Sequence, residues 1–189
     1  MEEDNKKYLI VKGKKIKKIY LILIIAVFSI LIIDQVTKII AINSGETNVI
    51  DGVFKIAVSE NTSGAYGVGS NSTFMYIITN LVVIAVLFKF ITSQNDFIST
   101  KIQVFSSLII AGGLSNVMDR IFRGYVIEFF DFKQLINIPA FNIADISIII
   151  GWICFIAIFS KFSVEEIRKK GGKTKENSEK INDKENKKI

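Results

Sequence analysis

The residues of this sequence that could do chemistry are mostly acids set among apolar or aromatic neighbours. Asp34 and Lys38 interrupt a long apolar run, four residues apart and acid first, the favourable order for an ion pair along one helix face. A neutralised pair that fixes its helix is a simpler duty for them than catalysis. Asn116, Asp119 and Arg120 close a later apolar run, and Gly124 permits a turn into Val126-Ile-Glu-Phe-Phe-Asp131. Glu128 and Asp131 are three apart, so they share a helical face but point to opposite faces of a strand, one toward a cavity and the other toward water. An ordinary amphipathic loop is the plain alternative there. Asn142 and Asp145 are spaced as a helix N-cap and its third-position partner. An acid in that place is favoured by the helix dipole without any catalytic duty, so capping and catalysis both stay open for Asp145.

What the chain lacks narrows the chemistry. It has no histidine and one cysteine, Cys154, which lies inside an apolar run. That excludes Ser-His-Asp and Cys-His catalysis, His-ligated metals, a cysteine-based zinc site and an intrachain disulfide. Carboxylates, lysines and hydroxyls are left, with no metal or other cofactor implied.

The elements that must hold these groups are membrane helices. Half of the 189 residues are hydrophobic, there is one proline, and mean hydropathy is +0.41, which does not describe a water-soluble surface. The net charge of +6 does not point to nucleic acid, because most basic residues lie in two end segments flanking apolar blocks. Four spans are expected, at residues 19–42, 73–91, 102–118 and 141–162. At about 1.5 Å per residue, the first exceeds the ~30 Å hydrocarbon core. It is read as retained rather than cleaved, because its apolar stretch is long for a signal peptide and no small-x-small pattern follows. The third span is the least apolar, but Ser107, Ala111 and Ser115 recur every four residues beside Gly112 and Gly113, which suits close helix packing within a bilayer.

Nineteen of the twenty-four Lys and Arg residues fall on one side of these spans, so both termini are expected in the cytoplasm, with loops 43–72 and 119–140 outside. Residues 53–58 favour a short strand before the glycine-rich stretch Asn61 to Gly69, and this strand can pair with residues 125–132. The expected fold is therefore an all-α integral membrane protein of four transmembrane helices carrying a small extracytoplasmic β-sheet. A basic segment, 1–18, precedes the membrane domain at 19–162. The tail at 163–189 mixes charges with Gly, Asn and Ser, which reads as disordered, with anionic lipid as its partner.

Taken in order, four motifs resemble those of lipoprotein signal peptidase, also called signal peptidase II. Asp34-Gln-Val-Thr-Lys38 resembles the family's Asp-Gln-x-x-Lys in the first helix, and Asn61-Thr-Ser-Gly-Ala-Tyr its Asn-x-Gly-Ala-x-Phe stretch. Gly113-Leu-Ser-Asn116-Val-Met-Asp119-Arg120 continues into Gly124-Tyr-Val-Ile-Glu128-Phe, and Phe141-Asn142-Ile-Ala-Asp145 follows. Order, spacing and four-helix context together cover roughly residues 19–160.

The resemblance implies an aspartic endopeptidase of the bacterial plasma membrane that removes the signal peptide from a diacylglyceryl-modified prolipoprotein. Its two catalytic aspartates correspond to Asp145 and, in this chain, Glu128. Asp34, Asn61, Asn116, Arg120 and Asn142 match positions that hold substrate or shape the site, Lys38 completes the first motif, and Asp119 matches in a supporting role. Arg120 is an organiser through a carbonyl or Asp119, or else a lipid-phosphate contact.

The glutamate is a departure. It displaces the carboxyl by up to ~1.5 Å, and a misplacement of about 1 Å can cost on the order of 10²-fold in rate. Reduced activity follows unless the backbone retreats. Asp131 is a lower-ranked substitute for the second acid, and Ser63 and Gly64 are mild changes in the second motif.

Two carboxylates about 4 Å apart at an effective dielectric of ~20 repel by roughly 4 kcal/mol, so such a pair shares one proton and titrates as a unit. Its ionised member can activate a water while its protonated member polarises the scissile carbonyl. Two rivals remain at this level: a non-catalytic relative that binds lipidated peptides, and a small membrane protein that uses intramembrane acids for protons or ions.

Overall fold

A helix surrounded by other helices has no need of a greasy exterior, and that explains the least apolar of the four spans. In the computed structural model, helical segments long and apolar enough to cross a membrane run over Tyr20–Ser44, Thr73–Thr92, Thr100–Phe122 and Ile143–Glu165. Over an 18-residue window the third has a mean hydropathy of 1.2 against 2.3 for each of the others, and 67% of that window is buried against 11%, 11% and 17%. It is the hub of the bundle.

The structure describes residues 8–11, 14–62, 73–93, 99–132, 135–136 and 138–186, with side chains described between residues 20 and 165. Most of the glycine-rich stretch, including Ser63 and Gly64, lies outside the described residues. In chain order come a hairpin of β1 (Tyr8–Val11) and β2 (Lys14–Lys17), helix α1 (Lys18–Ser44), strands β3 (Thr47–Ile50) and β4 (Phe54–Asn61), and helices α2 (Thr73–Thr92) and α3 (Thr100–Phe122). Strand β5 (Val126–Asp131) and helix α4 (Ile143–Asn186) complete the chain.

Helix α3 packs against α1, α2 and α4. Small side chains allow it: Ser106, Ser107, Ala111 and Ser115 are buried along its length. A methyl at Gly112 would collide with the backbone carbonyl of Ala144 and with Ser147 Oγ. At Gly151 of α4 a methyl would stand 2.6 Å from Ile109 Cγ1 and 2.9 Å from the Phe105 carbonyl. Leu23, Leu87, Ile91, Ile109 and Ile110 fill the apolar centre, while Phe28, Ile32, Val86, Ile153 and Ile156 stand exposed. Apolar side chains turned outward on long apolar helices are what a lipid solvent asks for.

The expected strand pair is present. Antiparallel β4 and β5 form a sheet in the order β3-β4-β5, beside the C-terminal ends of α1 and α3. The third strand, β3, was not expected from the sequence, although Asp51-Gly52 before β4 is a hairpin signal, and Gly52 has φ +73°. Gly124, with φ +85°, makes the turn from α3 into β5.

The polar N-terminal segment contains the β1-β2 hairpin. Helix α4 continues to Asn186, into the charged stretch expected from its composition to be disordered. Extending a helix already nucleated in the span avoids the nucleation penalty.

The glycine contacts yield a paired test. Gly112→Ala overpacks a backbone contact and is expected to destabilise the protein by about 1–3 kcal/mol. Gly113→Ala, which would meet the flexible end of Ile84 at 3.3 Å and Asn80 Oδ1 at 3.7 Å, is expected to be near neutral. Thermal unfolding of the purified protein in detergent separates the two.

Candidate active site

Lys38, Asp34 and Asp119 are wholly buried where α1 meets α3. Lys38 Nζ lies 2.6 Å from Asp34 Oδ2, the four-apart pair expected from sequence, and 2.8 Å from Asp119 Oδ2. Asp119 also pairs with Arg123 and accepts from Gln35 Nε2 at 2.9 Å and from the Ile127 N–H at 3.3 Å. Two acids and two bases thus form a neutral cluster. Neutrality and full hydrogen bonding matter because a charge taken out of water without a partner costs several kcal/mol.

Asp34 does more than neutralise Lys38. Its Oδ2 accepts from Ser115 Oγ at 2.6 Å, and its Oδ1 accepts from the Ala144 N–H at 2.8 Å. That N–H belongs to the first turn of α4, whose leading donors have no intrahelical partner. One carboxylate on α1 therefore fixes α3 by its side chain and α4 by its backbone.

Asn116 extends the cluster toward Asp145. Its Oδ1 accepts from Lys38 Nζ at 3.4 Å and from Asn142 Nδ2 at 3.2 Å, and its Nδ2 donates to Asp145 Oδ1 at 2.8 Å. Asp145 Oδ2 accepts from the Asn142 N–H at 3.1 Å, while Asn142 Oδ1 accepts from the Asp145 N–H at 2.8 Å. This is the reciprocal cap expected from their spacing. Asn142 Nδ2 also donates to the Ile127 carbonyl at 3.1 Å, which ties the start of α4 to β5.

The capping role of Asp145 does not displace the other reading, because Asp145 also lines a cavity of ≈ 520 Å³ together with Glu128, Asn61, Asn116 and Arg120. Glu128 comes from β5, where Asn61 Nδ2 of β4 donates to its Oε1 at 2.6 Å. Arg120 Nη1 donates to the Asn116 carbonyl at 3.4 Å, and its guanidinium stands 5.2 Å from the centre of the Tyr76 ring, within cation–π range. The apolar wall comes from Pro139, Phe141, Ile146 and Ile149, among others. Two carboxylates, two carboxamides and a guanidinium beside an apolar surface can orient an amide, polarise its carbonyl and activate a water.

Of the sequence candidates, Asn61, Asn116, Arg120, Glu128 and Asp145 meet at the cavity, and Asp34, Lys38, Asp119 and Asn142 form the support beneath it. Asp131 is paired with Lys55 of β4 and is not among the described residues lining this cavity. Sequence reasoning missed Gln35, Ser115, Arg123 and Tyr76. Arg123 had a signal, since it lies four residues after Asp119 on one helix face, and it forms an ion pair with that acid. The other three owe their places to packing between distant elements.

Residues 15–161 match the protein family described as signal peptidase (SPase) II. The chain is 40% identical over 145 residues to the lipoprotein signal peptidase of Thermodesulfovibrio yellowstonii, covering 70% of this chain and 90% of that protein. It is 40% identical over 149 residues to the lipoprotein signal peptidase of Staphylococcus haemolyticus, covering 75% of this chain and 92% of that protein. A solved structure of a bacterial membrane enzyme superposes with a TM-score of 0.65 at 32% identity, covering 75% of this chain and 88% of the other.

The buried cluster makes a prediction about stability. Lys38→Met strands two buried carboxylates and is expected to destabilise the protein by about 3–5 kcal/mol. Lys55→Met removes only the solvent-screened pair with Glu46 and is expected to be near neutral. Unfolding midpoints in detergent for the two variants check the contrast.

Proposed function

This chain belongs to the signal peptidase II family, and from that premise we propose that it is an aspartic endopeptidase whose two catalytic carboxylates are Glu128 and Asp145. It is a peptidase of lipoprotein signal peptides in a bacterial membrane. The observation that carries the catalytic assignment is that both acids line the same cavity, each already bonded to a carboxamide.

Two carboxylates brought together around a substrate hold one proton between them. The ionised member takes a proton from a water as its oxygen attacks the scissile carbonyl carbon, and the protonated member hydrogen-bonds the carbonyl oxygen as negative charge develops there. Collapse of the tetrahedral intermediate breaks the C–N bond as a proton passes to the leaving nitrogen. The dyad finishes with the one proton with which it began. No nucleophilic side chain or metal takes part. Asn61 and Asn116 orient the carboxylates, and Arg120 organises the substrate backbone.

The substrate is a prolipoprotein whose cysteine at the cleavage site carries diacylglycerol. The apolar wall of the cavity suits that lipid and the hydrophobic signal segment, and placement of the cavity near the outer face lets the acyl chains stay in the bilayer while the peptide bond reaches water. Both termini are cytoplasmic in this reading, which the distribution of Lys and Arg supports. Membrane lipid is the surrounding partner, and nucleic acid has no part.

Purified protein incubated with a lipidated precursor tests the assignment. Glu128→Gln and Asp145→Asn are each expected to lower cleavage by about 10²–10⁴-fold with the unfolding midpoint retained, and a chelator is expected to leave the parent rate unchanged. Binding of precursor without cleavage by the parent protein would show a non-catalytic relative. Ion flux in liposomes with no effect on precursor would show a transporter.

A further inference from the structure

Strand β4 changes register next to Glu128. Ile56 pairs with Phe130, yet Ser59 pairs with Glu128 and Asn61 with Val126, so three steps along β4 are matched by two along β5. One extra residue at Ala57-Val58 makes a bulge. Since side chains alternate along a strand, a shift of one residue moves everything beyond it to the other face. Without the bulge, Val58 and Glu60 would share the face of Glu128. With it, Ser59 and Asn61 do, while Val58 and Glu60 are turned outward and exposed. Asn61, diagonal to Glu128 across the pair, is then within reach, and its Nδ2 stands 2.6 Å from Glu128 Oε1.

Resting on the catalytic reading above, we infer that Asn61 is a positioning residue for Glu128 and that this bulged strand pair is set for a glutamate rather than an aspartate. An aspartate in place of Glu128 would withdraw the carboxyl by ~1.5 Å and open the contact with Asn61 beyond hydrogen-bond range. The strand is not free to advance and close that gap. The Phe129 and Phe130 N–H groups donate to the Phe141 carbonyl at 3.1 and 2.9 Å, and the Phe141 N–H donates to the Phe130 carbonyl at 3.2 Å. Stacking of Phe132 on Phe54 and on Phe141, at 4.5 and 5.8 Å between ring centres, holds the same segment from its other end. The bulge and Asn61 thus absorb the additional methylene, and the longer acid is the fitted one.

The test is a swap of one methylene across the contact. Kinetics of lipidated-precursor cleavage are measured for the full-length protein in detergent and for Glu128→Asp, Asn61→Ala, the double variant of these two, and an exchange variant that combines Asn61→Gln with Glu128→Asp. Glu128→Asp is expected to lose about 10²-fold in kcat with little change in KM. Asn61→Ala is expected to lose a comparable factor, the loss in the double variant is expected to be less than the product of the two, and the exchange variant is expected to regain most of the parental kcat. Unfolding midpoints of all variants accompany the rates, so that loss of folding is seen as such. If Glu128→Asp cleaves as fast as the parent or faster, or if the two losses multiply and the exchange regains nothing, the inference is overturned while the catalytic assignment stands, provided Glu128→Gln is inactive. If Glu128→Gln retains activity, the catalytic assignment itself fails and the inference falls with it.

Discussion

One ammonium group, that of Lys38, sits between two carboxylates at zero solvent exposure, and the rest of the structure is arranged around satisfying it. A bundle of helices in lipid has no water to spare for a charge, so Asp34 and Asp119 must both come to it. They arrive from different helices. Asp34 then uses its remaining oxygen to hold the first turn of α4, and Asp119 holds the Ile127 N–H of β5. A local requirement for neutrality thereby fixes the mutual position of α1, α3, α4 and the sheet, which are the four elements that build the cavity and its support.

From that frame Asp145 and the backbone beside Glu128 are reached by short chains of hydrogen bonds. Asn116 passes from Lys38 to Asp145, and Asn142 passes from Asn116 to both the start of α4 and the backbone of β5. Carboxamides suit this work because each can accept on one side and donate on the other without adding charge. Asp145 is at once a helix cap and a cavity residue, so the two readings of its position describe one geometry: the backbone donors that cap the helix also fix the direction in which the carboxylate points.

Helix α3 shows how burial can disguise a membrane span. Its modest hydropathy would be a weakness in a lipid-facing helix, but its neighbours are other helices, and close approach favours Gly, Ala and Ser. Gly112 and Gly151 sit where α3 and α4 come close enough that a methyl would meet backbone. That proximity helps bring Asn116 of α3 within 2.8 Å of Asp145 of α4.

Much was legible in the sequence because it is encoded locally. Four apolar runs give four helices, alternation and flanking turns give β4 and β5, four-residue spacing gives the Asp34-Lys38 pair, and three-residue spacing gives the cap between Asn142 and Asp145. Each of these needs only the period of a helix or strand. The rest needed tertiary structure. Nothing near Lys38 in the chain announces Asp119 as its second partner, nothing near Asn61 announces the bulge that turns it toward Glu128, and Ser115 and Gln35 look like packing residues until the acids they bond are in place. Sequence determined which segments were helices and strands and which residues could be acids, caps and ion pairs, because those depend on neighbours a few positions away. Only the packing of helices against one another and of the sheet upon them decided which acids share a cavity, because a hydrogen bond of about 3 Å between distant residues is set by where whole elements come to rest.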